Sequence, residues 1–202
     1  MDTESKGFND RLEIAIAILL GLAAVLTAVV GFQGSLRDGD SIKSFNEGIR
    51  ASNDANGFYN DASQTFGRDQ QTFLEYAKAV QSGDDDLTTY LHDGIMDDNL
   101  RAAVDDWAKP ENDIASPLDS DLYKTPDADQ GEKLAKETDQ KFAEARALDD
   151  EGDKFNLVGV ITASSLFFLG IAGVMSARRT KLAGVSLGAI TLVVSIVMWL
   201  TV

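Results

Sequence analysis

The stretch Asp127–Ser176 constrains the fold most, because it lacks proline and changes from polar to apolar at Phe155. Residues 155–176 carry no charge and match the ~20 residues that a bilayer-spanning helix needs. In the polar half, residues recur at helical steps of three and four, the pattern of a helix packed on a partner: Leu134, Thr138, Phe142, Ala145, Leu148, Gly152 and Phe155. The stretch predicts one helix that begins in water and ends as a membrane span.

Two further apolar blocks, residues 12–32 and 182–202, are long enough to span a bilayer, and Glu13 is their one charged residue. The first block exceeds the apolar core of a signal peptide and lacks a small-residue cleavage site, which favours an uncleaved anchor. The predicted fold is an all-α integral membrane protein with three transmembrane helices. Residues 33–154 form a helical ectodomain, a coiled-coil-like hairpin or bundle, between the first two spans.

Basic residues predict the orientation of these spans. The short connection 177–181 holds Arg178, Arg179 and Lys181, and short basic loops remain in the cytoplasm. The tail 1–11 is then cytoplasmic and residues 33–154 are extracytoplasmic. We therefore expect a multi-pass protein of the cell membrane.

The formal net charge is −15, and most of the acids lie in residues 33–154. Such a surface argues against nucleic acid as a partner, since phosphates are bound by lysine and arginine. It either attracts cations or keeps the surface hydrated, as in a salty habitat. The absence of cysteine excludes disulfides and thiolate sites.

A second helical pattern has a sustained 3.5-residue repeat, typical of helices wound in a left-handed seam. It comprises Ile42, Phe45, Ile49, Ser52, Asn56, Tyr59, Ser63, Phe66, Gln70, Phe73, Ala77 and Val80. We interpret its polar members as residues that fix register rather than bind a ligand. Residues 36–66 would form a helix of about 46 Å, close to the ~42 Å of residues 127–154. We therefore expect a bend at Gly67, with residues 68–81 folding back, whereas the repeat that runs unbroken through Gly67 favours the alternative of a continuous helix.

The acidic turn Ser82–Asp86 predicts a helix start, and Pro110 predicts the end of that helix. One helix is expected between them, with a buried stripe of Leu87, Leu91, Ile95, Leu100, Val104 and Trp107. The proline-containing connection that follows is long for a structureless loop. It is either functional or packed down by its apolar residues Ile114, Leu118, Leu122 and Tyr123.

Small residues in the second and third spans predict close helix packing. Gly184 and Gly188 form a small-xxx-small pair, and the second span offers similar faces in Gly159/Ala163 and Gly170/Gly173. Because the connection between these spans is short, an antiparallel hairpin within the chain explains the glycines better than dimerisation does.

The sequence predicts no catalytic, cofactor-binding or metal-binding residues. Its one histidine, His92, stands beside Asp93 and is interpreted as solvated or structural. The segment Asp127–Gly131 begins like a calcium loop, but its glycine comes fifth and Thr138 stands where a glutamate is needed. The spans hold no interior ionisable residue to mark an ion path, and their serines and threonines are expected to bond their own backbone.

The chain resembles a family of small, uncharacterised prokaryotic three-span membrane proteins, a domain of unknown function. The similarity rests on short motifs spread along the chain: Arg11 and Glu13, Phe32-Gln33, Phe73-Leu74, Trp107, the loop ending near Tyr123, and Leu166–Gly170. Phe155-Asn156 departs from the family's aromatic residue followed by aliphatic residues. The resemblance implies this architecture and no activity.

From these patterns we expect a non-enzymatic protein that acts through protein–protein contacts, either as an accessory or scaffold subunit or as an extracytoplasmic sensor. The scaffold role is favoured because only a short tail and a short loop are predicted in the cytoplasm. Expected partners are the lipid bilayer and either another protein or further copies of the chain. The alternative is an oligomeric pore or transporter component, in which polar side chains of the second span line a shared cavity.

Overall fold

The computed structural model describes residues 2–110 and 112–202, with side chains from residue 11 onward. Within these ranges the chain is helical and contains no strand, which confirms the all-α prediction. Its α-helices are α1 Asp2–Ser82, α2 Asp85–Thr89, α3 Asp98–Trp107, α4 Pro126–Val174 and α5 Arg178–Thr201. A π-helical turn, Tyr90–Ile95, lies between α2 and α3, and a 3-10 turn, Pro117–Asp119, precedes α4.

Three of these helices, α1, α4 and α5, are long and apolar enough to cross a membrane. The chain is thus a multi-pass membrane protein by the length and composition of its helices. It divides into two compact units. The span unit comprises Met1–Asn46 and Lys141–Val202, and the polar unit comprises Glu47–Gln140.

The predicted helix through Phe155 is confirmed as α4, which has Pro126 at its first position. Proline suits that position because the first amides of a helix have no partner within it. The predicted packing stripe is also confirmed: Thr138, Ala145 and Gly152 are buried, while Leu134, Phe142, Leu148 and Phe155 are partly buried.

In the span unit, α1 and α4 pack antiparallel. The Ser41 hydroxyl donates to the carbonyl oxygen of Ala145 at 2.9 Å, and the rings of Phe45 and Phe142 lie 5.9 Å apart. The apolar core of this unit joins α1, α4 and α5 through Ala23, Leu26, Val30, Val158 and Leu192.

The predicted seam of α1 is wrong by one residue. The buried positions have the same steps of three and four but are the small residues Ser41, Ser44, Gly48, Ala51 and Ala55, followed further along by Asp69 and Ala79. The predicted positions Ile42 and Ile49 are 61% and 50% exposed. Small side chains let two helix backbones approach closely, so the chain buries them and leaves Ile42 and Ile49 outside.

The predicted bend at Gly67 is also wrong, because α1 continues unbroken to Ser82. The bend was inferred because the partner helix, at ~42 Å, is too short to cover α1 as far as Ser82. Instead, α3 and the following connection cover the end of α1. Phe73 and Tyr76 of α1 pack against the buried cluster Met96, Leu100 and Val104.

The predicted helix from the acidic turn to Pro110 is interrupted. Asp84 caps α2 as expected, with its carboxylate accepting from the Leu87 amide at 3.0 Å. At Met96 the backbone becomes extended, and Asp97 caps α3 by accepting from the Leu100 amide at 2.8 Å. Arg101 donates to the carbonyls of His92 and Met96, at 3.0 and 2.8 Å, and so satisfies groups that the interruption exposes. Leu87 and Ile95 of the predicted stripe are consequently exposed.

The proline-containing connection packs against the rest of the polar unit through its apolar residues, which is one of the two predicted alternatives. Leu118 and Tyr123 join the cluster around Leu100, whereas Leu122 is exposed. Hydrogen bonds to the main chain add to this packing. The Trp107 indole donates to the carbonyl of Ile114 at 3.1 Å.

Candidate functional site

Among the described residues of the polar unit, Asp69 is the one buried carboxylate, and α1 places it on its packed side. Asp69 is 2% exposed, and it accepts hydrogen bonds from the Tyr123 hydroxyl at 2.9 Å and from Arg68 Nε at 3.1 Å and Nη2 at 3.0 Å. The same Nη2 lies 3.5 Å from Asp97. This network ties the connection before α4 to the C-terminal part of α1.

Burial and the hydrogen bond to Asp69 both raise the pKa of Tyr123. The hydrogen bond to Asp69 likewise raises the pKa of Arg68. At neutral pH the phenol is therefore a proton donor and the guanidinium is charged. Both states compensate the burial of Asp69, since hydrogen bonds and a neighbouring cation offset the desolvation of a carboxylate.

Next to this network lies a cavity of about 350 Å³, within the size range of small-molecule sites. We call it the Arg68 cavity. Its charged lining side chains are Arg68, Lys124, Asp97 and Asp127. An adjoining depression of about 470 Å³ shares Thr65, Arg68 and Asp127 and adds Asp61. Both signs of charge face this space, which suits a small zwitterion or a peptide segment better than an apolar ligand.

The two sides of the Arg68 cavity are fixed by paired hydrogen bonds. Asn99 donates its side-chain amide to the carbonyl of Lys124 at 2.8 Å and accepts from the Lys124 amide at 2.7 Å. The start of α3 is thereby joined to the start of α4. The cavity therefore presents charged groups of both signs on elements whose positions these hydrogen bonds fix.

His92 is structural. Its Nδ1 lies 2.6 Å from Asp93 and its Nε2 lies 2.9 Å from Asp105, so the ring bridges the π-helical turn and α3. The ring also lies against Tyr76 of α1, with centroids 6.0 Å apart. Within the ranges that the structure describes, no three histidine or acidic side chains are grouped to hold a metal ion. Asp127, Asp129 and Gly131 lie in the first turns of α4.

We expect the stability of the polar unit to decrease as the pH rises above about 6.5, the ordinary pKa of histidine. Hydrogen bonds to Asp93 and Asp105 raise the pKa of His92 above its ordinary value. The stabilisation that protonated His92 gives the polar unit is therefore complete below about pH 6.5, the pKa of an unfolded histidine. It is lost as the pH rises through the higher pKa of His92 in the folded protein. Denaturant unfolding across this range measures it. His92→Gln should flatten the profile, and an unchanged slope in that variant would contradict the assignment.

The span unit brings together only some of the small residues predicted to pack. A Cβ built at Gly184 would lie 2.9 Å from Ala172 Cβ, and one at Gly188 would lie 2.5 Å from Leu169 Cγ. Gly159 and Gly173 face α1 instead, nearest to Val30 and Ile16. Gly170 has no neighbour within 4 Å of such an added atom, and Ala163 is exposed.

Five hydroxyl groups of the second and third spans donate to main-chain carbonyls. Thr162, Ser164, Thr191 and Ser195 bond their own helices, as expected. Ser165 departs from that expectation, because it donates across to the Gly188 carbonyl of α5 at 2.7 Å.

Ser165→Ala is expected to destabilise the span unit by about 0.6 kcal/mol, the mean for hydrogen bonds between membrane helices, and by at most about 1.7 kcal/mol, their maximum. The matched control is Ser164→Ala, since Ser164 bonds only its own helix, at Val160. Reversible unfolding in mixed micelles measures both variants. Equal effects would mean that the bond from Ser165 to Gly188 contributes nothing beyond a bond within α4.

The basic residues used to predict orientation lie in the first turn of α5, and the connection between α4 and α5 is shortened to Met175–Ala177. Arg178 and Arg179 are exposed, whereas Lys181 is 7% exposed and its Nζ lies 3.0 Å from Oε1 of Glu13. Towards the other end of α5, the Trp199 indole donates to the Gln33 side chain at 2.7 Å. These two polar contacts hold α5 parallel to α1.

Comparison of the chain with protein-family models, with curated proteins and with solved structures finds no match. The resemblance to an uncharacterised three-span family therefore stays a prediction. The functional interpretation rests on the chemistry of the surface and on the networks described above.

Sequence reasoning missed the pairs that build the Arg68 cavity and its surroundings. Asp69 and Tyr123 are 54 positions apart, and His92 and Asp105 are 13 apart. One usable signal was present: Asp69 interrupts a stripe of small residues at seam spacing, and a charge on a packed face needs a partner.

Proposed function

We propose that the protein is a non-enzymatic membrane protein that acts through protein–protein contacts, as an accessory or scaffold subunit or as an extracytoplasmic sensor. In this proposal it lies in the cell membrane with its N-terminus in the cytoplasm and residues 33–154 outside. The basic first turn of α5 supports that orientation, because basic residues flanking spans favour the cytoplasmic side.

The observation that carries the proposal is a stripe of α1 in the polar unit that is exposed at all but three of its positions: Ser52, Phe73 and Ala77 are partly buried. We call it the outer seam: Ile49, Ser52, Asn56, Tyr59, Ser63, Phe66, Gln70, Phe73, Ala77 and Val80. Tyr59, Phe66 and Val80 remain 41%, 42% and 53% exposed. Aromatic and aliphatic groups aligned along an acidic protein's surface favour an interaction face over a merely hydrated one.

The scaffold role has more support than the sensor role. The outer seam extends over several helical turns, as a subunit interface does, whereas the Arg68 cavity is one small site. A sensor would bind its ligand in that cavity, between Arg68 or Lys124 and the carboxylates opposite. The pore alternative has less support, because Thr162 and Ser165 of the second span are fully buried within the chain's own helices.

Affinity purification of the full chain from native membranes tests the proposal. We expect stoichiometric recovery of a protein, either a different one or an untagged copy of this chain. Asn56→Asp combined with Gln70→Asp should abolish it, because both changes place charge on the outer seam. Gln64→Asp with Gln71→Asp adds the same charge beside the seam and is the matched control. The proposal fails when no recovered protein depends on the seam.

A further inference from the structure

We propose that the partner on the outer seam is a second copy of this chain, lying parallel to the first. This inference rests on the proposed function, because it names the partner of the same surface. It goes further by specifying the stoichiometry, the orientation and the residues that meet.

The distribution of charge favours contact between two copies at the outer seam. Each copy carries a formal net charge of −15, so two copies repel each other over most of their surface. The outer seam is uncharged, and so are the residues on its outward flank: Asn53, Asn60, Gly67, Leu74 and Gln81. The acids of α1 in the polar unit lie elsewhere. Glu47, Asp54, Asp61 and Glu75 share one line at multiples of seven, and Asp69 is buried.

The 3.5-residue repeat of the outer seam favours a partner helix with the same repeat. The outer seam keeps steps of three and four from Ile49 to Val80. Phe66 and Phe73 contact Tyr123 and Trp107 of the same chain, whereas Asn56, Ser63 and Gln70 of the seam stay exposed. A sustained 3.5-residue repeat is complementary to a helix with the same repeat. A second copy provides that helix in matching register.

Orientation follows from the membrane. All copies insert in the same direction, so two α1 helices of neighbouring copies run parallel. In a parallel pair, equivalent positions lie opposite each other, which places Asn56 against its counterpart and Gln70 against its counterpart. Amide side chains both donate and accept hydrogen bonds, so each such pair satisfies itself. A polar residue at this kind of position fixes the register and the number of strands.

The absence of cysteine in the chain allows a direct test by oxidative crosslinking. Asn56→Cys and Gln70→Cys, each in the full chain in membranes, should give a disulfide-linked dimer, because disulfides form only when the two Cβ atoms come within about 4.5 Å. Asp54→Cys and Asp61→Cys are the matched controls, since both positions are exposed on α1 but lie on the acidic line. They should remain monomeric.

Subunit counting by single-molecule photobleaching in liposomes provides the second measurement. Wild type should give two steps, Asn56→Asp/Gln70→Asp should give one, and Gln64→Asp/Gln71→Asp should still give two. Single steps for wild type, or crosslinking equal to that of the controls, would overturn the inference. When a different protein co-purifies and its recovery depends on the outer seam, the proposed function stands and the inference of a second copy is wrong. When no protein binds the outer seam, both the proposed function and the inferred dimer fail.

Discussion

Gly188→Leu should unfold the hairpin of α4 and α5, giving the largest loss of stability among single substitutions in the span unit. A Cβ at this position would lie 2.5 Å from Leu169 Cγ, 2.8 Å from Cδ2 and 3.2 Å from the Leu169 amide nitrogen. Leu169 is fully buried, and a backbone atom cannot rotate away. Overpacking of this kind costs about 1–3 kcal/mol or more, and it also displaces the carbonyl that accepts from Ser165.

A matched pair of alanine variants separates this clash from a general effect of replacing glycine. Gly188→Ala adds one methyl group into the contact with Leu169, whereas Gly170→Ala adds one where no atom lies within 4 Å. Unfolding in mixed micelles should therefore show a clear loss for Gly188→Ala. Gly170→Ala should be neutral or slightly stabilising, because alanine is the better helix former. Equal stabilities would contradict the close packing of α5 on Leu169.

The span helices could be predicted from sequence because their signal is local. A run of about 20 apolar residues without charge has few alternatives to a membrane helix. The continuity of α4 through Phe155 was predictable for the same reason, since no proline or turn residue interrupts its pattern. Each of these features depends on neighbours along the chain.

The packed side of α1 could not be chosen by the same reasoning. Two stripes with the same period lie side by side on this helix, one bulky and one small, and period alone does not decide between them. Apolar bulk favoured Ile42 and Ile49, but Ala51 and Ala55 are the residues buried. The choice depends on how closely the backbone of α4 approaches, which is a property of the pair of helices.

The Arg68 cavity was beyond local prediction for a related reason. Its walls come from α1, from the start of α3 and from the start of α4, and the break at Met96 that positions α3 was not expected. The signal for that break was present as a second capping aspartate, Asp97. The apolar stripe that continues through Ile95 favoured one continuous helix over a second helix start at Asp97.

Asp69→Ala is expected to destabilise the polar unit by about 2–3 kcal/mol, the cost of removing hydrogen bonds to a buried charge. Asp69 is 2% exposed, and its removal leaves the Tyr123 hydroxyl without its acceptor. The Arg68 side chain is 62% exposed and can be solvated by water, so the larger penalty of an unpaired buried charge does not apply. Chemical denaturation of the full chain at pH 7 measures the change.

A double-mutant cycle with Tyr123→Phe separates the buried hydrogen bond from the packing of the ring. Tyr123→Phe keeps the edge contact with Phe66, whose centroid lies 6.3 Å away, and removes only the hydroxyl. It should cost about 1 kcal/mol and should cost almost nothing once Asp69 is alanine, because residues in one network are not additive. Arg68→Ala should have the smallest effect, since its charge is solvated. Additive losses for Asp69 and Tyr123 would mean that the two side chains stabilise the polar unit independently and that no buried network holds the connection onto α1.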